Sequence, residues 1–240
     1  MKDYKRFLKY QSKQIVFYSE KNGFYKYFKD VIEVILKKTD IVIHYITSDP
    51  NDEVFKLASD QFQVYYIGEN KLITLMMKMD ADIVCMTMPD LQKYHIKRSM
   101  VRDDIQYIYI DHGIGSQNLL LRPHALDYFD TVFCSNDITY AENKAQERVY
   151  GIKERNLVKY GFCLIDDMIQ EYDSKEHREN DVPTILIAPS WSEDNIADLC
   201  IDEILAGVLG KGYKVIFRPH PQYVRHCEEK LLALKDKYSS

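Results

Sequence analysis

The sequence predicts an α/β protein built on parallel β-sheets and divided into two domains, the second one truncated. Three observations carry that prediction. Short apolar runs rich in β-branched and aromatic residues alternate with longer amphipathic ones along the chain. Some of the short runs, Ile41–Ile46 (IVIHYI) above all, have almost no polar interruption, as a strand covered on both faces requires. A nearly all-polar stretch, Glu171–Asp181, stops the pattern, which then restarts.

The elements follow in order. Gln14–Ser19 reads as a strand. Phe24–Lys37 reads as a helix with Phe24, Phe28, Val31, Ile32 and Ile35 on one face. Ile41–Ile46 is the second strand, closed by the turn residues Ser48-Asp49-Pro50-Asn51-Asp52. Phe62–Ile67, Asp82–Met86 and Ile105–Ile110 continue the strands, with a Met-rich helix at Lys71–Met79 between the first two. Thr131–Cys134 is a short strand, followed by a helix capped by Asn136 and running to about Tyr150. Past the polar stretch, Thr184–Ala188 and Lys214–Phe217 are strands. Asn195–Leu209, ended by Gly210 and Gly212, and Tyr223–Tyr238 are helices.

These elements group into a first domain at 1–172, a linker at 173–182 and a second domain at 183–240. Two strands and two helices do not make a sheet with both faces covered. The second domain is therefore expected to be incomplete in this sequence.

Composition excludes several classes. With 32 Lys+Arg against 37 Asp+Glu the chain carries a net charge of −5, which argues against a nucleic-acid-binding domain with a basic surface. No run approaches the ~20 apolar residues of a membrane span, and the N-terminus lacks the apolar core of a secretory signal. The five cysteines (Cys85, Cys134, Cys163, Cys200, Cys227) form no CxxC pair or Cys/His cluster, so reduced thiols in a cytoplasmic protein are expected rather than zinc or disulfides. Nothing in the sequence demands a metal or a cofactor. The basic N-terminus (Lys2, Lys5, Arg6, Lys9 and Lys13 against Asp3) reads as a solvated, partly frayed helix, or as a contact to the inner face of the membrane through peripheral association.

Three strand ends carry polar cargo, where parallel sheets bind ligands. Ile105–Ile110 runs into Asp111-His112-Gly113-Ile114-Gly115-Ser116. There His112 is either a general base beside a glycine loop open to close approach or a turn histidine bonded to backbone. Gly113 and Ser116 are candidate donors to an anion. The loop is no Walker motif, since no Gly-Lys-Ser/Thr follows. Lys214–Phe217 runs into Arg218-Pro219-His220-Pro221. That turn is either a rigid phosphate cradle beside a helix N-terminus near Tyr223 or a simple strand stop. Thr184–Ala188 runs into Pro189-Ser190-Trp191-Ser192, a candidate ligand surface where Ser192 or Asp194 is the expected helix cap and Trp191, the only tryptophan, either stacks on a ligand or packs at the domain interface.

Weaker candidates are His124 and Asp127, three apart on an expected helix and able to share a cleft or merely to be solvated. Asp103-Asp104 and Asp166-Asp167 read as turns and helix ends, and His44 as a satisfied core residue. His177 falls in the linker and His226 on the last helix.

The ordered set HGIGS, HALDYFD, LVKYGFCLIDDM, ILIAPSWSEDN and VIFRPHPQY resembles the CDP-glycerol glycerophosphotransferase family of teichoic-acid-type polymer synthesis, over roughly residues 100–225. The resemblance implies a GT-B-like fold of two Rossmann-like domains, an acceptor-side N-terminal half and a donor-binding C-terminal half, with the donor between them. It implies His112 as catalytic base and His220 as the second essential histidine at the donor phosphates, with Arg218 and Ser190 as accessory contacts. The chain departs from the family pattern at Ser116-Gln117 and at Ser192, where members often carry basic residues. The family's further donor-binding segment would lie beyond Ser240.

The activity implied is transfer of a polyol-phosphate unit from a CDP-activated donor to a hydroxyl of a lipid-linked or polymeric acceptor, releasing CMP. Two rival readings stand beside it. One is a nucleotide-sugar glycosyltransferase or UDP-sugar epimerase of the same architecture. The other is a truncated, non-catalytic binding module.

Overall fold

The computed structural model describes residues 2–11, 13–175, 181–192 and 194–238. They form two compact units, residues 1–174 and 175–240. His177 and the middle of the polar stretch lie outside the described residues.

The first unit comprises α1 (Lys2–Lys9), β1 (Lys13–Ser19), α2 (Lys29–Lys38), β2 (Ile43–Thr47), β3 (Phe62–Tyr66), α3 (Glu69–Met77), β4 (Ala81–Met86), β5 (Gln106–Ile110), α4 (Gln117–Leu120), β6 (Thr131–Cys134), α5 (Asp137–Tyr150), β7 (Asn156–Lys159) and α6 (Cys163–Asp173). Its seven strands make one sheet in the order β3-β2-β1-β4-β5-β6-β7, and every pairing is parallel. Alternation along the strands separates two apolar layers. Val16, Tyr18, Val84, Met86, Tyr107 and Tyr109 face one, which Leu75 and Met76 of α3 complete. Ile15, Phe17, Ile43, Tyr45 and Cys85 face the other, against Ile32 of α2 and Phe28, which immediately precedes that helix. Burial on both faces explains the unbroken apolar strands.

Several boundaries differ from those the sequence suggests. The helix expected over Phe24–Lys37 begins as a 3₁₀ turn at Tyr25–Tyr27 and becomes α-helical only from Lys29. Strand β7 and helices α4 and α6 carry no strong sequence signal. Helix α6 runs through Glu171–Asp173, the first part of the polar stretch, where its last turns are exposed all round and polar side chains are solvated. The N-terminal helix is docked rather than frayed. Phe7 is fully buried, edge-on to the Tyr65 ring at 5.2 Å. Arg6 donates to the Val64 carbonyl and Asp3 accepts from the Tyr66 amide, so α1 covers backbone groups along the open edge of β3. His44 is a satisfied core residue, its Nδ1 3.0 Å from the Tyr65 hydroxyl; burial pushes its pKa down to about 4.

The second unit holds β8 (Thr184–Ile187) and β9 (Lys214–Phe217), a parallel pair, with α7 (Ile196–Leu199), α8 (Ile201–Val208), α9 (Pro221–His226) and α10 (Glu228–Tyr238). Each of the two helices expected here is broken in two, at Cys200 and at Cys227. Asn195, not Ser192 or Asp194, caps α7 by accepting from the Ala197 amide at 2.9 Å. Its amide group in turn donates to the Ser192 carbonyl. Pro221 occupies the first turn of α9, where its missing N–H costs nothing, so the helix starts two residues before Tyr223 and His226 ends it. Ile187, Ile201 and Leu205 form the small core. Asp198 ties three helices together, accepting from Asn195, Tyr223 and Lys230.

Candidate functional site

The strand order sets where a ligand belongs. From β1 the chain winds outward through β2 and β3, then returns to the other side of β1 as β4. Loops leaving the carboxyl ends of β1 and β4 therefore diverge, and in parallel sheets the crevice so opened receives ligands. The next strand on this side, β5, delivers Asp111 and His112 to the same edge.

His112 is half-buried in an aromatic surround, its ring 5.7 Å from Tyr27, 6.1 Å from Phe24 and 6.4 Å from Tyr109. Its Nδ1 lies 3.4 Å from the Tyr109 hydroxyl, so the partner is a side chain and not the backbone of a turn. Burial holds the imidazole pKa below its ordinary value, and the charge of Asp111 opposes that shift. The ring is therefore largely neutral at neutral pH and able to take a proton.

Asp111 is the anchor of the loop. Its Oδ2 accepts from the Ser135 hydroxyl and from Nε2 of Gln117, both at 2.9 Å, and the carboxylate also accepts from the Gly113 amide. Burial nonetheless raises its pKa. Gln117 is fixed in turn by Nδ2 of Asn143 at 2.7 Å. The far end of the loop is held by Glu142 of α5, which accepts from the Ser116 hydroxyl and from the Gln117 amide at 2.8 Å. A carboxylate thus already occupies the donors that the sequence offered to an anion at Ser116. Gly113 and Gly115 need no positive φ, and a Cβ on either would meet nothing closer than Leu120, at 3.7 and 3.5 Å. The fold itself does not demand glycine there.

In the second unit the turn after β9 is laced to the turn after β8. The Arg218 amide donates to the Ile187 carbonyl at 2.8 Å and the His220 amide to the Pro189 carbonyl at 3.2 Å. His220 is the N-cap of α9, its Nδ1 accepting from the Gln222 amide at 3.1 Å. Hydrogen-bond accounting places the proton of the neutral ring on Nε2. The Trp191 ring stacks on it at 6.2 Å and 25°. Arg218, Ser190 and Trp191 are exposed, and Arg218 has no carboxylate partner among the described residues. These four residues share one rim.

His124 and Asp127 do not join the edge that carries His112. They lie in a turn rather than a helix, His124 at φ +66°. They bond each other at 2.8 Å, and the His124 ring packs 4.3 Å from Tyr150, the residue that ends α5. The opposite end of α5, capped by Asn136, adjoins Ser135 and Asp111, about 20 Å away along the helix. Asp103-Asp104 is a turn whose Asp104 pairs with Arg102, and Asp167 pairs with Lys29. No group of three or more His, Cys, Asp or Glu could hold a metal among the described residues, and no helix there is long and apolar enough to cross a membrane.

Sequence reasoning passed over Tyr109, Asp111, Gln117 and Glu142 as site residues. Asp111 alone had a local signal, a carboxylate adjoining His112 at a buried strand end.

The profile of the family described as CDP-Glycerol:Poly(glycerophosphate) glycerophosphotransferase matches residues 1–237. Among solved structures, that of the wall teichoic acid polymerase TagF soaked with CDPG is similar, with a TM-score of 0.51 and 12% sequence identity over 90% of this chain. The match spans 58% of the TagF chain. None of the curated proteins matches the sequence.

Proposed function

Since the chain belongs to the CDP-glycerol:poly(glycerophosphate) glycerophosphotransferase family, we propose that it moves a glycerol-phosphate or related polyol-phosphate unit from a CDP-activated donor to a hydroxyl of a polymeric or lipid-linked acceptor, releasing CMP. The observation that carries this reading is His112, a half-buried imidazole with lowered pKa at the ligand-binding edge of the sheet.

In the reaction, Nδ1–H of His112 donates to the Tyr109 oxygen, which leaves the Nε2 lone pair for the acceptor hydroxyl. The acceptor oxygen attacks the phosphorus that bears the polyol. A new P–O bond forms, the bond to the CMP oxygen breaks, and the hydroxyl proton passes to Nε2. Charge grows on the departing CMP phosphate. His220 supplies an Nε2–H donor and Arg218 a guanidinium fork to that charge, with Ser190 beside them. Such transfer relies on position and electrostatics more than on covalent help from the protein. Gly113 leaves room for substrate where the fold requires no glycine. Ser116 serves the loop through Glu142 rather than the donor directly, and Trp191 steadies the His220 ring. A lipid-linked acceptor would hold the protein peripherally at the inner membrane face, in the cytoplasm.

The test is CMP release from CDP-glycerol in the presence of acceptor. A folded His112→Ala variant should lose turnover; unchanged turnover removes the base assignment.

A further inference from the structure

Asn143 is fully buried on α5, yet its Oδ1 has no hydrogen-bond partner among the described residues. A leucine would fill the same space without leaving a bare polar atom, so the amide serves through its other end. There Nδ2 donates to the Thr139 carbonyl at 2.8 Å and to Oε1 of Gln117 at 2.7 Å. A backbone carbonyl only accepts, which fixes Nδ2 on that side and turns Oδ1 away. The second Nδ2 hydrogen requires an acceptor, so Gln117 offers it Oε1 and points Nε2 at Oδ2 of Asp111, 2.9 Å away. The Thr139 carbonyl thus sets the direction of every bond in this arm.

A second arm starts from the same residue. The Thr139 amide donates to Oδ1 of Asn136 at 2.9 Å. That leaves Nδ2 of Asn136 for the Ile114 carbonyl at 3.0 Å and the Ser135 hydroxyl oxygen at 3.2 Å. Ser135 accepts there, and its own hydrogen goes to Oδ2 of Asp111 at 2.9 Å. Both arms end as donors on one carboxylate oxygen, and the Gly113 amide supplies a third donor to the group. Fixed donors favour the charged form, whereas burial works against it.

The titratable neighbours do not replace this support. Burial keeps Tyr109 on β5 and Cys134 on β6 neutral at neutral pH, the thiol pushed up to about 11. Glu142 of α5 is a carboxylate on the same loop, Glu20 after β1 reaches the same edge, and Glu147 is paired with Arg155 and Lys144. His112 is faced by Tyr109 and by Tyr27 from the turn before α2. We propose that Asn143 and Asn136 are positioning residues: through Gln117 and Ser135 they hold Asp111 as the carboxylate beside His112, and that charge sets the basicity of the imidazole. The inference rests on the base assignment above and extends it to residues that touch no substrate.

A pH titration of the whole chain, reading the Asp111 carboxyl by carbon-13 NMR and the His112 ring by nitrogen-15 NMR, tests this without substrate. Gln117→Met keeps the volume and removes one donor; the Asp111 midpoint should rise by about one pH unit, as loss of a hydrogen bond to a charged group implies, and the His112 midpoint should fall. Asn136→Ser keeps a good N-cap on α5 and should move both midpoints the same way by less. Asn143→Leu should do so too, but not once Gln117 is already Met, because its effect runs through that amide. Circular dichroism checks each fold. Unmoved Asp111 midpoints in folded Gln117→Met and Asn136→Ser overturn the proposal, as does an Asp111 shift that leaves His112 unmoved or an Asn143→Leu effect that ignores Gln117. Failure of the transferase reading looks different: midpoints that shift as expected in a protein that releases no CMP from CDP-glycerol keep the two arms and remove the reaction.

Discussion

The Tyr109 hydroxyl stands 3.4 Å from Nδ1 of His112, near the end of a strand in which Tyr107, Tyr109 and Ile110 are buried. Burial pushes the phenol pKa well above its ordinary value, so the hydroxyl stays protonated and uncharged. It orients the ring without competing as an ion. Tyr109→Phe removes that partner, and turnover should fall by about three- to tenfold, roughly 1 kcal/mol, with little change in donor KM. Nitrogen-15 NMR of the wild-type ring should find the proton on Nδ1. A proton on Nε2 contradicts the assignment of His112 as base.

The pH dependence follows from Asp111. A base acts when unprotonated, so activity rises with pH through the His112 pKa and levels above it. Burial sets that pKa below the ordinary histidine value, and the Asp111 charge lifts it partway back. Asp111→Asn removes the lift, and the acid limb of kcat/KM should move to lower pH. Stability moves as well. The buried carboxyl holds its proton to higher pH than in the unfolded chain, so its contribution to stability falls as pH rises through the window just above the ordinary Asp range. Denaturant melts across that window should show a slope that Asp111→Asn flattens.

Glu142 reaches from α5 to close the start of α4, where a four-residue helix has no capping side chain of its own. Glu142→Ala leaves the Gln117 amide and the Ser116 hydroxyl without their carboxylate. The expected loss is about 1–2 kcal/mol, by analogy with helix-cap removal. Amide exchange at Gln117 and Asn118 should quicken more than exchange within β5. Equal quickening throughout would mean that Glu142 serves global stability and not the loop.

Helix α1 is too short to persist alone in water. Phe7 is its single buried residue, and it enters the layer that also holds Tyr65 and Val16. Phe7→Ala should cost about 3–5 kcal/mol in urea unfolding, as for other buried aromatic truncations. A loss under about 0.5 kcal/mol would return α1 to the solvated arm its charges suggest.

What the sequence disclosed follows from what each segment buries. Strands β1, β2 and β4 were legible because both faces are covered, which forces continuous apolar runs. Strand β7 was not, since Asn156–Lys159 is a short edge strand without one fully buried residue. The position of His112 could be read locally, as a histidine past a buried strand. Its supports could not, because Glu142 meets Ser116 across 26 residues and Asn143 meets Gln117 across the same distance. His124 and Asp127 misled for a related reason: three-residue spacing fits a helix, but a turn with a left-handed residue brings the same pair together.

His220 separates structure from chemistry most cleanly. Its Nδ1 caps α9, and its Nε2–H is the donor proposed for the leaving phosphate. Asparagine is among the best N-caps, so His220→Asn should keep the cap and hold stability within about 0.5 kcal/mol of wild type. Its shorter side chain, committed to the Gln222 amide, leaves no donor at the place of Nε2. If that donor steadies the charge of the leaving phosphate, CMP release should fall on the order of 10²–10³-fold, the usual effect of removing one such hydrogen bond. Thermal melts and CMP release on the same preparation decide between the roles. Matching melts with lost turnover support the phosphate donor, whereas a lowered melt with turnover retained at low temperature would leave His220 as a cap alone.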